Sequence, residues 1–313
     1  MKLIIQMPCY NEAATLKIAL SELPRDVAGF DSVEWLIIND GSTDNTVEVA
    51  RQCGVDHVVN FKRNRGLARG YMAGLRAAVE LGADVIVNTD ADNQYKASDI
   101  PLLTTPVLDG RADIVIGARP ISAIKHFSPI KKALQWLGSA VVRAVSKTDV
   151  ADAPSGFRAV SRDAAMRLHV FNEYTYTLET IIQAGMKNMM VINVPIGVNA
   201  DLRPSRLVKS IPSYVKKSIM TMLRIFVVYK PFRFFMKIGL IVFLTGILLG
   251  IRYLWFAFSG SGGGHVQSLI LASILLGIGF QTMITAFLAD LLAVNRSLLE
   301  EIEYRSLKTE SRC

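Results

Sequence analysis

Cysteine is scarce in this 313-residue chain, histidine never clusters, and acidic residues vanish from one long stretch. The three cysteines, Cys9, Cys53 and Cys313, are odd in number and share no paired spacing. That argues against a disulfide framework or a CxxC-type zinc site and points to a reducing compartment. The four histidines, His57, His126, His169 and His265, lie far apart without an HExxH spacing, so packing or surface roles are expected of them. No GxGxxG follows a strand-like run and no GxxxxGK[ST] occurs, which removes the dinucleotide and P-loop templates. No signal peptide is expected from the first residues, since only Leu3 to Met7 is apolar before the polar Pro8-Cys-Tyr-Asn-Glu12, and the first domain is expected in the cytoplasm.

The missing acids locate the charge. From Leu202 to Ala289 there is no Asp or Glu, but there are ten Lys or Arg residues, more than the whole net charge of +8. The rest of the chain is therefore mildly acidic. A basic zone serves either nucleic acid or a membrane surface, and its position beside two apolar runs decides for the membrane, with no nucleic acid partner.

Along the chain, Leu3–Met7, Glu34–Ile38, His57–Asn60, Asp84–Asn88 and Asp113–Ile116 read as strands. They alternate with amphipathic stretches at Glu12–Leu23, Asp44–Cys53, Leu67–Leu81 and Ser98–Leu108. Such alternation predicts an α/β, Rossmann-like domain with a mostly parallel sheet over residues 1–210. Residues 121 to about 200 read as a helical insertion followed by a strand at Val191–Pro195. Residues 211–233 form a basic amphipathic juxtamembrane segment, or, more plainly, a surface helix. Residues 234–258 and 266–289 are long enough to cross a bilayer as a two-helix hairpin. Ser259 to Gly264 links them without Lys or Arg, while cations crowd the far ends, so both termini, including the tail 290–313, are placed in the cytoplasm. Small residues one turn apart (Gly246 and Gly250, Ser273 and Gly277) suit close packing within the hairpin or in a homo-oligomer.

Three polar clusters follow predicted strands: Pro8-Cys-Tyr-Asn-Glu12, Asn39-Asp-Gly-Ser-Thr-Asp44 and Asp90-Ala-Asp-Asn-Gln94. Each alone is weak; Asn11 suits a helix cap and Asp40-Gly41 a turn. Together they fall at the carboxyl edge of a parallel sheet, where ligands bind. Asp40 can accept the imide N–H of uracil or guanine. Asp90 and Asp92 offer hard oxygens to Mg²⁺ or Mn²⁺ on a diphosphate, and Gln94 can add a neutral oxygen. Gly66, Gly70 and Gly74 recur every fourth residue on a predicted helix, which fits packing on the sheet as well as phosphate approach, though Gly66 opens the helix where phosphate is favoured.

The order PxYNE, DGSxDxT, Asn64-Arg-Gly66 and DADxQ resembles the inverting family-2 glycosyltransferases with the GT-A fold. Asp152-Ala-Pro-Ser-Gly-Phe-Arg158 and the C-terminal hairpin resemble their dolichol-phosphate mannose synthase branch, the polyprenyl-phosphate glycosyltransferases. The resemblance implies that Pro8, Tyr10, Asn11, Glu12, Asp40, Gly66 and Asp90 bind the nucleotide. It further implies that Asp90, Asp92 and Gln94 hold the metal. Arg119 matches a family position that contacts the acceptor phosphate, with Lys131, Lys132, Arg203 and Arg206 as further cations. Asp92, Asp152 and Arg119 are the candidate catalytic residues.

The implied activity is transfer of a monosaccharide, with inversion, from a UDP- or GDP-sugar to undecaprenyl or dolichyl phosphate at the cytoplasmic membrane face. The Gln-x-x-Arg-Trp of processive polysaccharide synthases is missing, which disfavours polymer synthesis. A phosphate acceptor is already anionic and needs no strong base. Transfer to a neutral lipid hydroxyl would instead demand a base such as Asp152. An inactive membrane-bound nucleotide-sugar binder is the reading from another class, and the intact Asp90, Asp92 and Gln94 speak against it.

Overall fold

The computed structural model describes residues 1–120, 138–140, 142–144, 146–170, 176–200, 220, 223–224, 227–260 and 262–310. The chain divides into two compact units, residues 1–216 with 303–313, and residues 217–302.

The first unit is built on a seven-stranded sheet. Its strands are β1 (Lys2–Cys9), β2 (Ser32–Asn39), β3 (His57–Asn60), β4 (Val85–Asn88), β5 (Ile114–Ala118), β6 (Arg158–Ser161) and β7 (Val191–Pro195). The order across the sheet is β3-β2-β1-β4-β6-β5-β7. β1 pairs in parallel with β2 and β4, β2 with β3, and β5 with β7; only β6 runs antiparallel, between β4 and β5. The apolar runs of β1 and β4 are buried almost throughout, as strands covered on both faces must be. The fold is a mostly parallel α/β sheet, as the alternation implied, and it is GT-A-like, as the family resemblance implied.

Helices α1 (Ala13–Glu22), α2 (Thr46–Gln52), α3 (Leu67–Glu80) and α4 (Ile100–Leu108) are the expected connections, each within two residues of its predicted bounds. Leu16, Leu20, Trp35, Ile37, Ile100 and Leu103 join the β1 and β4 side chains in one core. Gly70 and Gly74 belong to packing: a Cβ on Gly70 would touch Pro8 and Ile38, and one on Gly74 would collide with Gln6 and Ile38. Helices α5 (Arg162–Arg167) and α6 (Thr177–Met186) follow β6. Ser161 caps α5 by accepting from the Ala164 N–H at 3.2 Å.

Strand β6 was not foreseen. It has four residues and begins on an arginine, and it lies inside the stretch read as a helical insertion.

The second unit holds α7 (Pro231–Phe258) and most of α8 (Val266–Glu310). Both helices are long and apolar enough to cross a membrane, each through an 18-residue stretch whose mean hydropathy is 2.3 in α7 and 1.9 in α8. Their apolar side chains point outward: Ile241 and Leu248 are 67% exposed, Trp255 74% and Phe258 89%. Within this unit Gly239 and Gly279 bring the two helices into backbone contact. A Cβ on Gly239 would sit 3.0 Å from the Gly279 carbonyl, and one on Gly246 would sit 3.1 Å from the Ala272 carbonyl. The final turns of α8, from Glu303, belong to the first unit. Tyr304 Oη donates to Asp163 at 2.6 Å, and Arg76 pairs with Glu303 at 2.5 Å. The expected juxtamembrane segment, 211–233, falls largely outside the described residues.

Candidate active site

Because β1, β2 and β4 run in parallel, Tyr10, Asp40 and Asp90 all emerge at the same edge of the sheet. The first two clusters are then stitched together by hydrogen bonds. Asn11 adopts a left-handed conformation, φ 54°. Its N–H donates to Ser42 Oγ at 2.9 Å, and its Oδ1 accepts from the Thr43 N–H at 2.8 Å. The Glu12 N–H donates to Thr46 Oγ1 at 3.0 Å, and the Ala13 N–H to Asp44 at 3.2 Å. Asn11 thus ties the β1 loop to the β2 loop rather than capping α1 through its side chain. Tyr10, beside it, is 42% exposed.

Asp40 is 4% exposed and accepts two backbone N–H groups, Arg65 at 2.6 Å and Gly66 at 2.9 Å. These contacts draw the Asn64-Arg-Gly66 loop over the β2 edge. Gly41, at φ +70°, allows the approach, since a Cβ there would collide with the Arg63 backbone. The Gly66 N–H is therefore spent on Asp40, and a carboxylate accepting two N–H groups still keeps lone pairs for a base N–H.

The third cluster follows β4. Burial pushes the Asp90 carboxyl up to about 7, with the charge of Asp92 adding to the effect and Arg119 opposing it. A buried carboxyl that resists ionising beside a second acid is the electrostatic complement of a divalent cation. Asp92 Oδ1 accepts from the Gln94 N–H at 3.2 Å, and Asn93, at φ 59°, makes the tight turn between them. Among the described residues no three His, Cys, Asp or Glu side chains cluster as a closed metal cage. Two carboxylates and an amide oxygen fit Mg²⁺ or Mn²⁺, which take few protein ligands and fill the remainder with water and phosphate oxygens.

Arg119 leaves the end of β5 and is bound to Asp152: Nε donates at 2.7 Å and Nη2 at 3.1 Å, with the Arg119 backbone N–H at 3.3 Å from the same carboxylate. The two side chains are 11% and 1% exposed. The pair is buried rather than set at the surface. Lys131, Lys132, Arg203 and Arg206 lie outside the described residues.

Sequence reasoning assigned nothing to the scaffold beneath these groups. Asn88 is wholly buried; its amide donates to the Gly156 carbonyl at 2.8 Å and to Tyr176 Oη at 2.9 Å, and accepts from Gln6 at 3.0 Å. The Gly156 N–H donates to Tyr95 Oη at 3.0 Å. Tyr71 stacks on Tyr176, ring centres 3.8 Å apart. A Cβ on Gly156 would lie 3.0 and 3.2 Å from the Asp90 carboxylate oxygens, so the backbone of this turn forms a wall of the Asp90 site. Asn88, the last residue of β4 and two positions before Asp90, was the available signal: a polar side chain in an otherwise apolar buried strand needs partners.

The comparisons with known proteins agree with this geometry. The chain is 29% identical over 206 residues to the undecaprenyl-phosphate mannosyltransferase of Micrococcus luteus, covering 63% of this chain and 83% of that one. It is 28% identical over 215 residues to the UDP-N-acetylglucosamine–dolichyl-phosphate N-acetylglucosaminyltransferase of Methanococcus voltae, covering 61% and 82%. Among solved structures, glucosyl-3-phosphoglycerate synthase from Mycobacterium tuberculosis, in complex with Mn²⁺, UDP and glucosyl-3-phosphoglycerate, shares the fold. Its TM-score is 0.56 at 18% identity, over 72% of this chain and 78% of that one. The sequence model of glycosyl transferase family 2 matches residues 4–168, from the first strand through the acidic pair and Arg119 to α5. That match takes in more than half of the chain and every cluster assembled at the sheet edge, and the chain belongs to glycosyl transferase family 2.

Proposed function

We propose that this protein transfers a monosaccharide from a nucleoside-diphosphate sugar to a polyprenyl phosphate, with inversion at the anomeric carbon. The carrying observation is that acids and a cation share one sheet edge. Asp90 and Asp92 suit the metal-bound diphosphate of a donor, while Arg119, leaving β5, suits an anionic acceptor. Two relatives whose names specify polyprenyl-phosphate acceptors support the same reading. A bound Mg²⁺ or Mn²⁺ would neutralise charge on the departing nucleoside diphosphate.

Pro8, Tyr10, Glu12 and Asp40 border the nucleoside side, where Asp40 has lone pairs for the imide N–H of uracil or guanine. In the reaction a phosphate oxygen of the acceptor bonds to the anomeric carbon from one face. The bond from that carbon to the nucleoside diphosphate breaks on the other, which inverts the centre. The acceptor oxygen is already ionised, so no protein base is consumed. Asp152, gripped by Arg119, is poorly placed to be one, which favours the phosphate acceptor over a neutral hydroxyl.

The outward apolar faces of α7 and α8 suit hydrocarbon, and the cations flanking the pair favour a cytoplasmic side for the catalytic unit and both termini. An integral membrane enzyme would thereby hold its site where a lipid-linked substrate presents its phosphate.

The test incubates membranes containing the protein with labelled UDP- and GDP-sugars, polyprenyl phosphate and Mn²⁺. Label should pass into an organic-extractable, acid-labile lipid and stop with excess chelator. Asp92→Asn should lower turnover by a factor of about 10²–10⁴ without unfolding the protein. Transfer undiminished by chelator would remove the metal, and label going only to a neutral lipid would remove the phosphate acceptor.

A further inference from the structure

Arg158 closes the Asp152-Ala-Pro-Ser-Gly-Phe-Arg158 segment, and nothing in the reaction as described uses it. It is 1% exposed and sits on β6 directly across from Asn88 of β4. Its guanidinium makes three hydrogen bonds and lies over the Tyr176 ring, 5.7 Å from its centre. Nε donates to the Ser155 carbonyl at 2.8 Å, Nη2 to the Ala153 carbonyl at 2.8 Å, and Nη1 to Thr180 Oγ1 of α6 at 2.7 Å. Among the described residues it forms no direct salt bridge, and the carboxylates of Asp152 and Asp90 act on it only from a distance.

A buried cation without a carboxylate partner is costly, so a fold selecting for stability alone would fill this place with an apolar side chain. What only a planar guanidinium does is bridge several acceptors in fixed directions. Two of the three acceptors here are consecutive-but-one carbonyls of the same short turn. That turn carries Asp152 at one end, bound to Arg119, and Gly156 at the other, in contact range of Asp90.

We propose that Arg158 is a positioning residue that holds the Asp152–Gly156 turn in the one shape that serves both halves of the site. Through Gly156 the turn limits where the Asp90 carboxylate lies, and through Asp152 it limits where Arg119 lies. Asn88 and Tyr95 fasten the Gly156 end, at its carbonyl and its N–H. The Ala153 and Ser155 carbonyls are fastened by Arg158. The inference rests on the reading of Asp90, Asp92 and Arg119 as the transfer site, but its structural half can be measured without any activity.

The test compares the full-length wild-type protein with Arg158→Met and Arg158→Lys in detergent. Hydrogen exchange is followed across the chain, and turnover is followed as a function of Mn²⁺ concentration. In Arg158→Met, exchange should rise about tenfold or more in the peptide covering residues 152–157 while β1 and β2 stay protected. The Mn²⁺ concentration for half-maximal activity should rise about 10- to 100-fold, as when an outer-shell partner is lost. Arg158→Lys, which keeps the charge but not the planar fork, should show the same local pattern in smaller measure, and it decides the matter if the methionine variant does not fold. Exchange that is unchanged in the turn, or raised evenly over the whole sheet, overturns the proposal. So does a lower melting temperature with an unmoved Mn²⁺ requirement. If the wild-type protein shows no transfer, the functional reading fails, and local exchange alone still upholds or overturns the positioning role.

Discussion

The guanidinium of Arg119 grips both oxygens of Asp152, at 2.7 and 3.1 Å, and the pair is almost entirely buried. Removing one partner of such a pair strands the other charge. Arg119→Ala should therefore destabilise the catalytic unit by about 3–5 kcal/mol, and Arg119→Ala with Asp152→Ala should recover much of that loss. The double variant also separates stability from binding. If Arg119 contacts the acceptor phosphate, the KM for polyprenyl phosphate stays high in the double variant while its melting temperature recovers. Recovery of both would make Arg119 a structural residue only.

Gly156 is tested by one methyl group. The added Cβ of Gly156→Ala would lie 3.0 Å from Asp90 Oδ2 and 2.9 Å from Tyr176 Oη. Either neighbour must give way, and a shift of a few tenths of an ångström at Asp90 disturbs a proposed metal ligand. Turnover should fall about 10²-fold while the binding of free nucleoside, followed by calorimetry, holds. Normal Mn²⁺-dependent turnover in this variant would show that the wall of the site yields without consequence.

Glu34 sets an acid limb on stability. Lys2 Nζ at 2.8 Å, and then His57 Nε2 at 2.8 Å, hold the Glu34 carboxyl below its ordinary value. Its folded pKa is depressed, so the unfolded chain binds the proton more readily. The stabilisation is present above the unfolded glutamate value of about 4.3 and disappears as pH falls through the lower folded value. Melting temperatures between pH 3 and 6 should thus fall less steeply for Glu34→Gln than for the wild type. An identical slope would remove Glu34 from the acid transition.

Gly246 and Gly250 share a face in sequence but not in packing. A Cβ on Gly246 would come within 3.0 Å of the Leu276 backbone nitrogen, whereas nothing lies within 4 Å of one on Gly250. Gly246→Leu should splay α7 from α8 and lower the detergent melting temperature, and Gly250→Leu should leave it unchanged. A loss in oligomer size confined to Gly250→Leu would instead mark that open face as a contact between subunits.

What the sequence determined by itself is the periodic part of the molecule. Alternating strand and helix patterns placed β1 to β5, β7 and α1 to α4, because apolar spacing records which face each element buries. The motif order PxYNE, DGSxDxT and DADxQ located the sheet edge, since a parallel sheet returns every strand end to one side. The two long apolar helices were equally legible, as length and hydropathy are properties of the chain alone.

Only the tertiary structure decided the rest. Strand β6 is four residues long with a buried arginine at its head, and nothing in its own spacing says that it enters the sheet antiparallel between β4 and β5. The partnership of Arg119 with Asp152 spans 33 positions, and that of Asn88 with Gly156 spans 68. Such contacts are chosen by the register of strands far apart in sequence, so the residue types announce a need for partners while the fold alone selects them. Asp40 shows both levels at once. Its chemistry suggested a base contact, and the folded chain has also given its two oxygens the N–H groups of Arg65 and Gly66, because the β2 edge lies where that loop must turn.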